Sequence, residues 1–262
     1  MIIELHMIQN FAPSNLNRDD TNAPKDTTFG GYRRARISSQ CLKRAIRTHS
    51  TFVGTADVKG VRTRLMQQEL RQRLLANGLP ANEVDIIVPS FLEQYGGLDK
   101  DGKTKVLLYL GTDEIERVCT RLTEQWAELV SLANNHAKNS QADTTKKSEN
   151  GKAELKTRLK EIVNECSTRT KAIDVALFGR MVAEASNINI DAACQVAHAI
   201  STHRVDMELD FFTAVDDLLS RDQTGAGMMG TVGFNSSCFY RYSLINLEQL
   251  IQNLQDDATL AV

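Results

Sequence analysis

Extended, period-two segments lie at the two ends of this 262-residue chain and helical periods fill its middle, so a sheet that gathers both ends must accommodate a long helical excursion. Near the start, Ile3, Leu5 and Met7 alternate with Glu4, His6 and Ile8, the period of a half-buried strand. Near the end, SCFYRYSL alternates in the same way, and Asn246 is placed to cap a short helix carrying Leu247, Leu250, Ile251 and Leu254. Between them, Val61 to Ala76, Asp113 to Ala137 and Ala153 to Cys166 read as helices, and PSFLEQYGGLDKDGKTKVLLYLGT reads as a strand with a DKDG turn. AACQVAHAIST fits helix and strand equally. The reading is an α+β protein with a helical insertion over about residues 59–170.

Charge distribution narrows the function. The 31 Lys and Arg are nearly balanced by 33 Asp and Glu, which excludes a wholly basic nucleic-acid binder and makes any polyanion site local. The segment FGGYRRARISSQCLKRAIR holds Arg33, Arg34, Arg36, Lys43, Arg44 and Arg47 and no acid. Ser38 or Ser39 can cap a helix there, with Cys41, Leu42, Ala45 and Ile46 on one face and Gln40, Lys43, Arg44 and Arg47 on the other. Arginine forks, lysines and neutral donors at a helix start are the inventory for gripping phosphates. The alternative is a solvated face paired with Asp19, Asp20 and Asp26.

Those three acids carry a second pair of readings. Close carboxylates beside a phosphate-binding surface could hold a divalent cation and activate water, as in a ribonuclease; they could equally orient the neighbouring arginines and shape the loop. The five histidines show no nucleophile motif, and TGAGMMGTVG matches neither phosphate-loop pattern. Its glycines suggest a flexible arm or hairpin, whose Met228 and Met229 could wedge against a base or pack on the body. KNSQADTTKKSENGK is polar and reads as a solvated loop. Five scattered cysteines point to reduced thiols, and no secretory leader or apolar run of about 18 residues is evident, so a cytoplasmic chain without a membrane span is expected.

LNRDDTNAPKDTTFGGYRRARISSQCLKRAIR, together with DVALFGRM, QVAHAIST, DFFTAVDDL and SCFYRYSLINLEQL, resembles the CasC family, the crRNA-binding backbone subunit of the type I-E CRISPR Cascade complex. The resemblance implies a modified RNA-recognition-motif (ferredoxin-like) palm with a helical fingers insertion and a protruding thumb. The palm would occupy 1–58, 171–203 and 235–262, the fingers 59–170 and the thumb 204–234. Copies would assemble head to tail along crRNA with other Cascade subunits, engage target DNA through guide pairing, and catalyse nothing; no cofactor or metal is implied.

Residue by residue, the resemblance assigns Arg18, Lys25, Ser38, Gln40, Lys43, Arg44 and Arg47 to the RNA backbone and Met181 to guide bases. It assigns Lys138, Lys146 and Lys147 to target DNA, and the displacement of a base to one of Phe211, Phe212, Met228 and Met229. A related type III subunit cleaves target RNA with a metal and a loop Asp, which is the enzymatic alternative for Asp19, Asp20 or Asp26. CasC-like chains usually continue well beyond the helix after Asn246, with an extension that completes the palm sheet. This sequence stops at Val262, as a truncated chain, a short homologue or part of a split subunit would.

Overall fold

The computed structural model describes residues 1–55, 57–139, 145–214 and 228–255, and the side chains of all these except 135–139, 145–152 and 228. In chain order the elements begin with β1 (Ile2–Ser14), β2 (Asp26–Phe29), β3 (Tyr32–Ile37), α1 (Ser39–Thr48), α2 (Ser50–Gly54) and β4 (Gly60–Thr63). Helices α3 (Met66–Ala76) and α4 (Ala81–Leu92), a 3-10 turn at Glu93–Tyr95 and β5 (Leu108–Gly111) follow. Next come α5 (Thr112–Glu124), α6 (Trp126–Asn139), α7 (Thr145–Ser167), α8 (Ile173–Phe178) and a 3-10 segment at Ala183–Ile188. Strands β6 (Cys194–Val196), β7 (Ala199–Ser201), β8 (Glu208–Ala214) and β9 (Met228–Asn246) precede α9 (Leu247–Asn253).

Two compact units result: Ile2–His49 with Gln195–Ile245, and Met1 with Ser50–Cys194 and Asn246–Val262. The first is built on a sheet of order β1-β9-β7-β3-β2, with β6 and β8 also paired to β9. Registers place Arg36 opposite Ile200 and Ile200 opposite Tyr240, while Ile37 faces Ala199 and Ser201 faces Phe239. Alternation therefore sorts the two faces. Ala35, Ile37, Ala199, Val205 and Phe239 make the core face, where Cys41 and Leu42 of α1 pack beside Phe11, whose ring meets Phe239 edge-on at 5.7 Å. Burying that face holds α1 on the sheet, because its other residues have little to cover.

The second unit is mainly helical. Leu70 and Leu74 of α3, Val84, Ile87, Val88 and Phe91 of α4, Val118 and Leu122 of α5, and Leu159, Ile162 and Val163 of α7 close on one core. Strands β4 and β5 form a separate antiparallel pair with Val61 opposite Leu110. Asn246 caps α9 as the sequence indicated, its Oδ1 accepting from the N–H groups of Glu248 at 3.1 Å and Gln249 at 3.3 Å. Among the described residues no helix is long and apolar enough to cross a membrane.

Several local expectations need correction. Gly60 to Thr63 is β4 rather than the start of a helix, since its β-branched Val61 and Thr63 pair with β5. PSFL ends α4 instead of lying in an extended excursion: Val84, Ile87, Val88, Phe91 and Leu92 keep helical spacing, and their burial outweighs the backbone bond lost at Pro89. The expected single helix over Asp113 to Ala137 is two, α5 and α6, interrupted at Gln125 (φ −101°, ψ 12°). Residues 145–152, read as loop, belong to α7, and the ambiguous AACQVAHAIST forms β6 and β7. Of the glycine-rich TGAGMMGTVG, residues 224–227 lie outside the described residues, and 228–233 belong to β9. Ile3, Leu5 and Met7 of the edge strand β1 are exposed, because no described element covers that part of the sheet, and its far end, at Phe11, meets the core.

Candidate nucleic-acid interface

The strongest positive feature is built by one helix start. Ser38 has extended backbone, and its Oγ accepts the Cys41 N–H at 3.3 Å, satisfying one of the donors a helix N-terminus leaves unpaired. From that start the 3.6-residue period sends Cys41 and Leu42 to the core and leaves Gln40 and Arg44 exposed, with Lys43 and Arg47 half-buried. The first turn carries no acid and Arg47 lies in the last. Ala45, expected on the buried face, is exposed, so the apolar stripe is narrower than its sequence suggests.

Arg18 and Lys25 arrive on the loop that precedes β2, and Asn17 ties that loop to the helix. Its Oδ1 accepts the Ser38 N–H at 2.9 Å, and its carbonyl accepts the Lys25 N–H at 2.8 Å. The Lys25 carbonyl in turn accepts the Arg36 N–H at 2.9 Å. Asn22, with φ 72°, turns the loop, and its Oδ1 accepts from the Arg18 guanidinium at 2.8 Å. Arg18, Lys25 and the α1 residues thus belong to one bonded framework. Ser38 itself is only 5% exposed and its oxygen is occupied by the cap.

The neighbouring acids have structural work. Asp19 Oδ1 accepts from the Thr21 N–H (2.9 Å), the Thr21 hydroxyl (2.8 Å) and the Ala23 N–H (3.0 Å). These bonds, the Thr21 hydroxyl foremost, hold its carboxyl below the usual range despite some desolvation. Asp26 binds Arg33, whose Nε donates to it at 2.6 Å across the β2–β3 pair. Asp20 is exposed. Among the described residues no group of His, Cys, Asp and Glu is arranged to hold a metal ion.

Met181 lies in the other unit and is 85% exposed. Its position is fixed from beneath by its neighbour Arg180, which is buried and paired with Glu114 at 2.5 Å. The same guanidinium donates to the carbonyls of Ile188 at 3.0 and 2.9 Å, Ser167 at 2.5 Å and Tyr109 at 3.3 Å. Burial pushes the Glu114 carboxyl up to about 7, with Arg180 opposing the rise. Gly179 has φ +74°, and a Cβ there would meet the Ile190 carbonyl at 2.8 Å. Sequence reasoning missed the Arg180–Glu114 pair, whose partners stand 66 residues apart with no local pattern to join them.

Lys138, Lys146 and Lys147 have helical backbone, but their side chains lie outside those described. Strands β8 and β9 form an antiparallel ribbon in which Phe212 faces Gly230 and Thr213 faces Met229. Phe211 and Met229 are largely exposed, whereas the Phe212 ring lies so close to Gly230 that an added Cβ would meet it at 2.6 Å. The Met228 side chain lies outside the described ones.

Antiparallel strands backed by a basic helix, joined to a helical body, define a mixed α+β protein with a concentrated cationic surface. This chain belongs to the CT1975-like protein family, whose model matches residues 3–262. It is similar to a chain of a solved structure described as "CRISPR RNA-guided surveillance complex, pre-nicking", with 31% identity and a TM-score of 0.72 over 99% of this chain and 68% of that one. A second similar chain, from a "CRISPR RNA-guided surveillance complex", is 30% identical with a TM-score of 0.63, covering 100% of this chain and 68% of that one. No curated protein sequence matches it. The CasC resemblance read from the sequence is borne out.

Proposed function

We propose that this chain is a non-catalytic, RNA-binding backbone subunit of a type I-E-like Cascade surveillance complex, working in the cytoplasm in antiviral defence. Copies polymerise head to tail along crRNA, hold its phosphates and present its bases to target DNA. The observation that carries this reading is the framework joining Arg18 and Lys25 to the cationic face of α1 through Asn17, because a rigid array of donors on backbone phosphates needs no base-edge contacts. Ser38 serves it by positioning the helix.

In this reading residues 1–58, 171–203 and 235–262 form the RNA-recognition-motif-like palm, residues 59–170 supply the fingers, and the β8–β9 ribbon is the base of the thumb. Met181 touches guide bases, Lys138, Lys146 and Lys147 draw in target DNA, and Phe211, Phe212, Met228 or Met229 interrupts pairing. The engagement of Asp19 with Thr21 and of Asp26 with Arg33 favours a scaffold over a metal-dependent ribonuclease.

Mass photometry with unstructured RNAs of increasing length, in magnesium and with the RNA checked on a gel, tests this. Stepwise addition of subunits on intact RNA of any sequence is expected. A single stoichiometry with shortened RNA would establish the ribonuclease instead.

A further inference from the structure

The sheet has a second face, opposite α1, that the phosphate grip leaves unused. Registers place Arg34 opposite Thr27, Phe29 opposite Tyr32, and Arg36 in line with Ile200 and Tyr240, all on that side. A groove of about 470 Å³ opens there, lined among others by His6, Phe29, Arg34, His198, Tyr240 and Tyr242. Phe29 is 60% and Tyr240 41% exposed, an unusual outlay of aromatic surface on one sheet face.

The rings of His6, Tyr240 and Tyr242 are held in place. His6 Nδ1 shares a hydrogen bond of 2.7 Å with the Tyr240 hydroxyl, and its ring centroid lies 4.9 Å from that of Tyr242. Glu4 accepts from the Tyr242 hydroxyl at 2.9 Å and lies 3.4 Å from His6 Nε2, so the nearby acid is spent on orienting rings. The Arg34 guanidinium is fixed at the wall by the carbonyls of Phe29 (3.0 Å) and Ser201 (2.8 Å). Arg36 Nη1 approaches His198 Nδ1 at 3.5 Å.

We infer that this face is a base-stacking subsite for single-stranded nucleic acid, distinct from the phosphate-gripping helix. Flat, pre-oriented rings offer a platform to any base because every base has a π-face, and the fixed arginine plane supplies the charge that a base-bearing strand requires. The inference rests on the reading that the chain binds single-stranded RNA and adds to it a ring-stacking contact that does not depend on counterion release.

The test uses the full chain and a uridine-rich 15-mer containing one 2-aminopurine, read by anisotropy for affinity and by fluorescence for stacking. Wild type should quench the 2-aminopurine. Phe29→Ala with Tyr240→Ala should weaken binding roughly tenfold and abolish the quench, with an unchanged salt slope. Tyr240→Phe, which keeps the ring, should bind as wild type. Normal affinity and quench in the double-alanine variant, with binding still lost in Lys43→Ala/Arg47→Ala, would overturn the stacking subsite and leave the proposed function intact. No RNA binding by wild type would overturn both. Folding of each variant is checked by its melting curve, and Phe29→Ala alone, at an exposed strand end, supplies the reading if the double variant melts early.

Discussion

The Asn17 side-chain oxygen accepts the backbone N–H of Ser38 at 2.9 Å, linking residues 21 positions apart. One amide therefore ties the start of the basic loop to the entry of the basic helix, which makes the geometry of the cationic surface a local property of the fold.

Replacing Asn17 by alanine leaves the buried Ser38 N–H without its acceptor, which costs about 1–3 kcal/mol. Ser38→Ala, losing the cap, should cost about 1 kcal/mol. Urea denaturation separates the two effects. RNA affinity should fall more in Asn17→Ala, because only that change frees the loop bearing Arg18 and Lys25. Equal affinity losses would mean that the loop does not contribute.

The lowered Asp19 pKa predicts a pH effect whose sign is fixed. A carboxyl with a depressed folded pKa contributes stability above its unfolded value of about 3.9, and loses that contribution as pH falls through the folded value. Asp19→Asn keeps an oxygen acceptor but cannot titrate, so melting temperatures measured from pH 5 downward should decline less steeply than in wild type. An identical acid limb would show that the Thr21 and Ala23 bonds are not maintained in solution.

Glu114 predicts the opposite slope. Its folded pKa is raised, so the folded state holds the proton more tightly, and stability falls as pH climbs from the unfolded value through about 7. Glu114→Gln should flatten that window in denaturation experiments between about pH 4 and 7. Glu114→Ala leaves the Arg180 charge buried without a counterion and should cost about 3–5 kcal/mol. A milder loss would place compensating water beside Arg180.

The legible parts of this chain were those decided by short-range physics. Asn246 and Ser38 act as caps because their side chains reach donors two or three residues away, and such reach is written in local sequence. The basic face of α1 followed from helical spacing alone. What local pattern could not supply was partnership at a distance: Gly60–Thr63 became a strand because Leu108–Gly111 pairs with it, and Ile3, Leu5 and Met7 remain exposed because no described element covers them. The aromatic face is the clearest instance, since Phe29, Tyr240 and His6 share a surface only once β2, β9 and β1 take their places in one sheet. The Asn17–Ser38 bond was hidden for the same reason.

Gly179 should tolerate no side chain. Its φ of +74° strains any L-residue, and a Cβ would sit 2.8 Å from the Ile190 carbonyl and 2.9 Å from the Ala192 nitrogen. Gly179→Ala should therefore lower the melting temperature and displace the exposed Met181, whereas Met181→Ala should leave stability unchanged. Limited proteolysis around residues 178–182 reads the difference, and equal resistance in both variants would contradict it.

The salt dependence of RNA binding distinguishes a phosphate grip from every other use of α1. Each single-stranded phosphate neutralised releases condensed counterions, so log K falls with log salt by about 0.7 per contact. Arg44 is exposed on the helix, and Arg44→Ala should reduce the slope by about 0.7 and weaken binding alike for all RNA sequences. Lys43 and Arg47 are half-buried and engaged in interactions of their own, so their joint replacement should lower the slope by up to about 1.4 and also destabilise the helix modestly. Titrations at four salt concentrations with two unrelated sequences decide the matter. A slope that stays constant while one sequence loses affinity selectively would mean that the helix reads bases, and the backbone-grip account of this surface would fail.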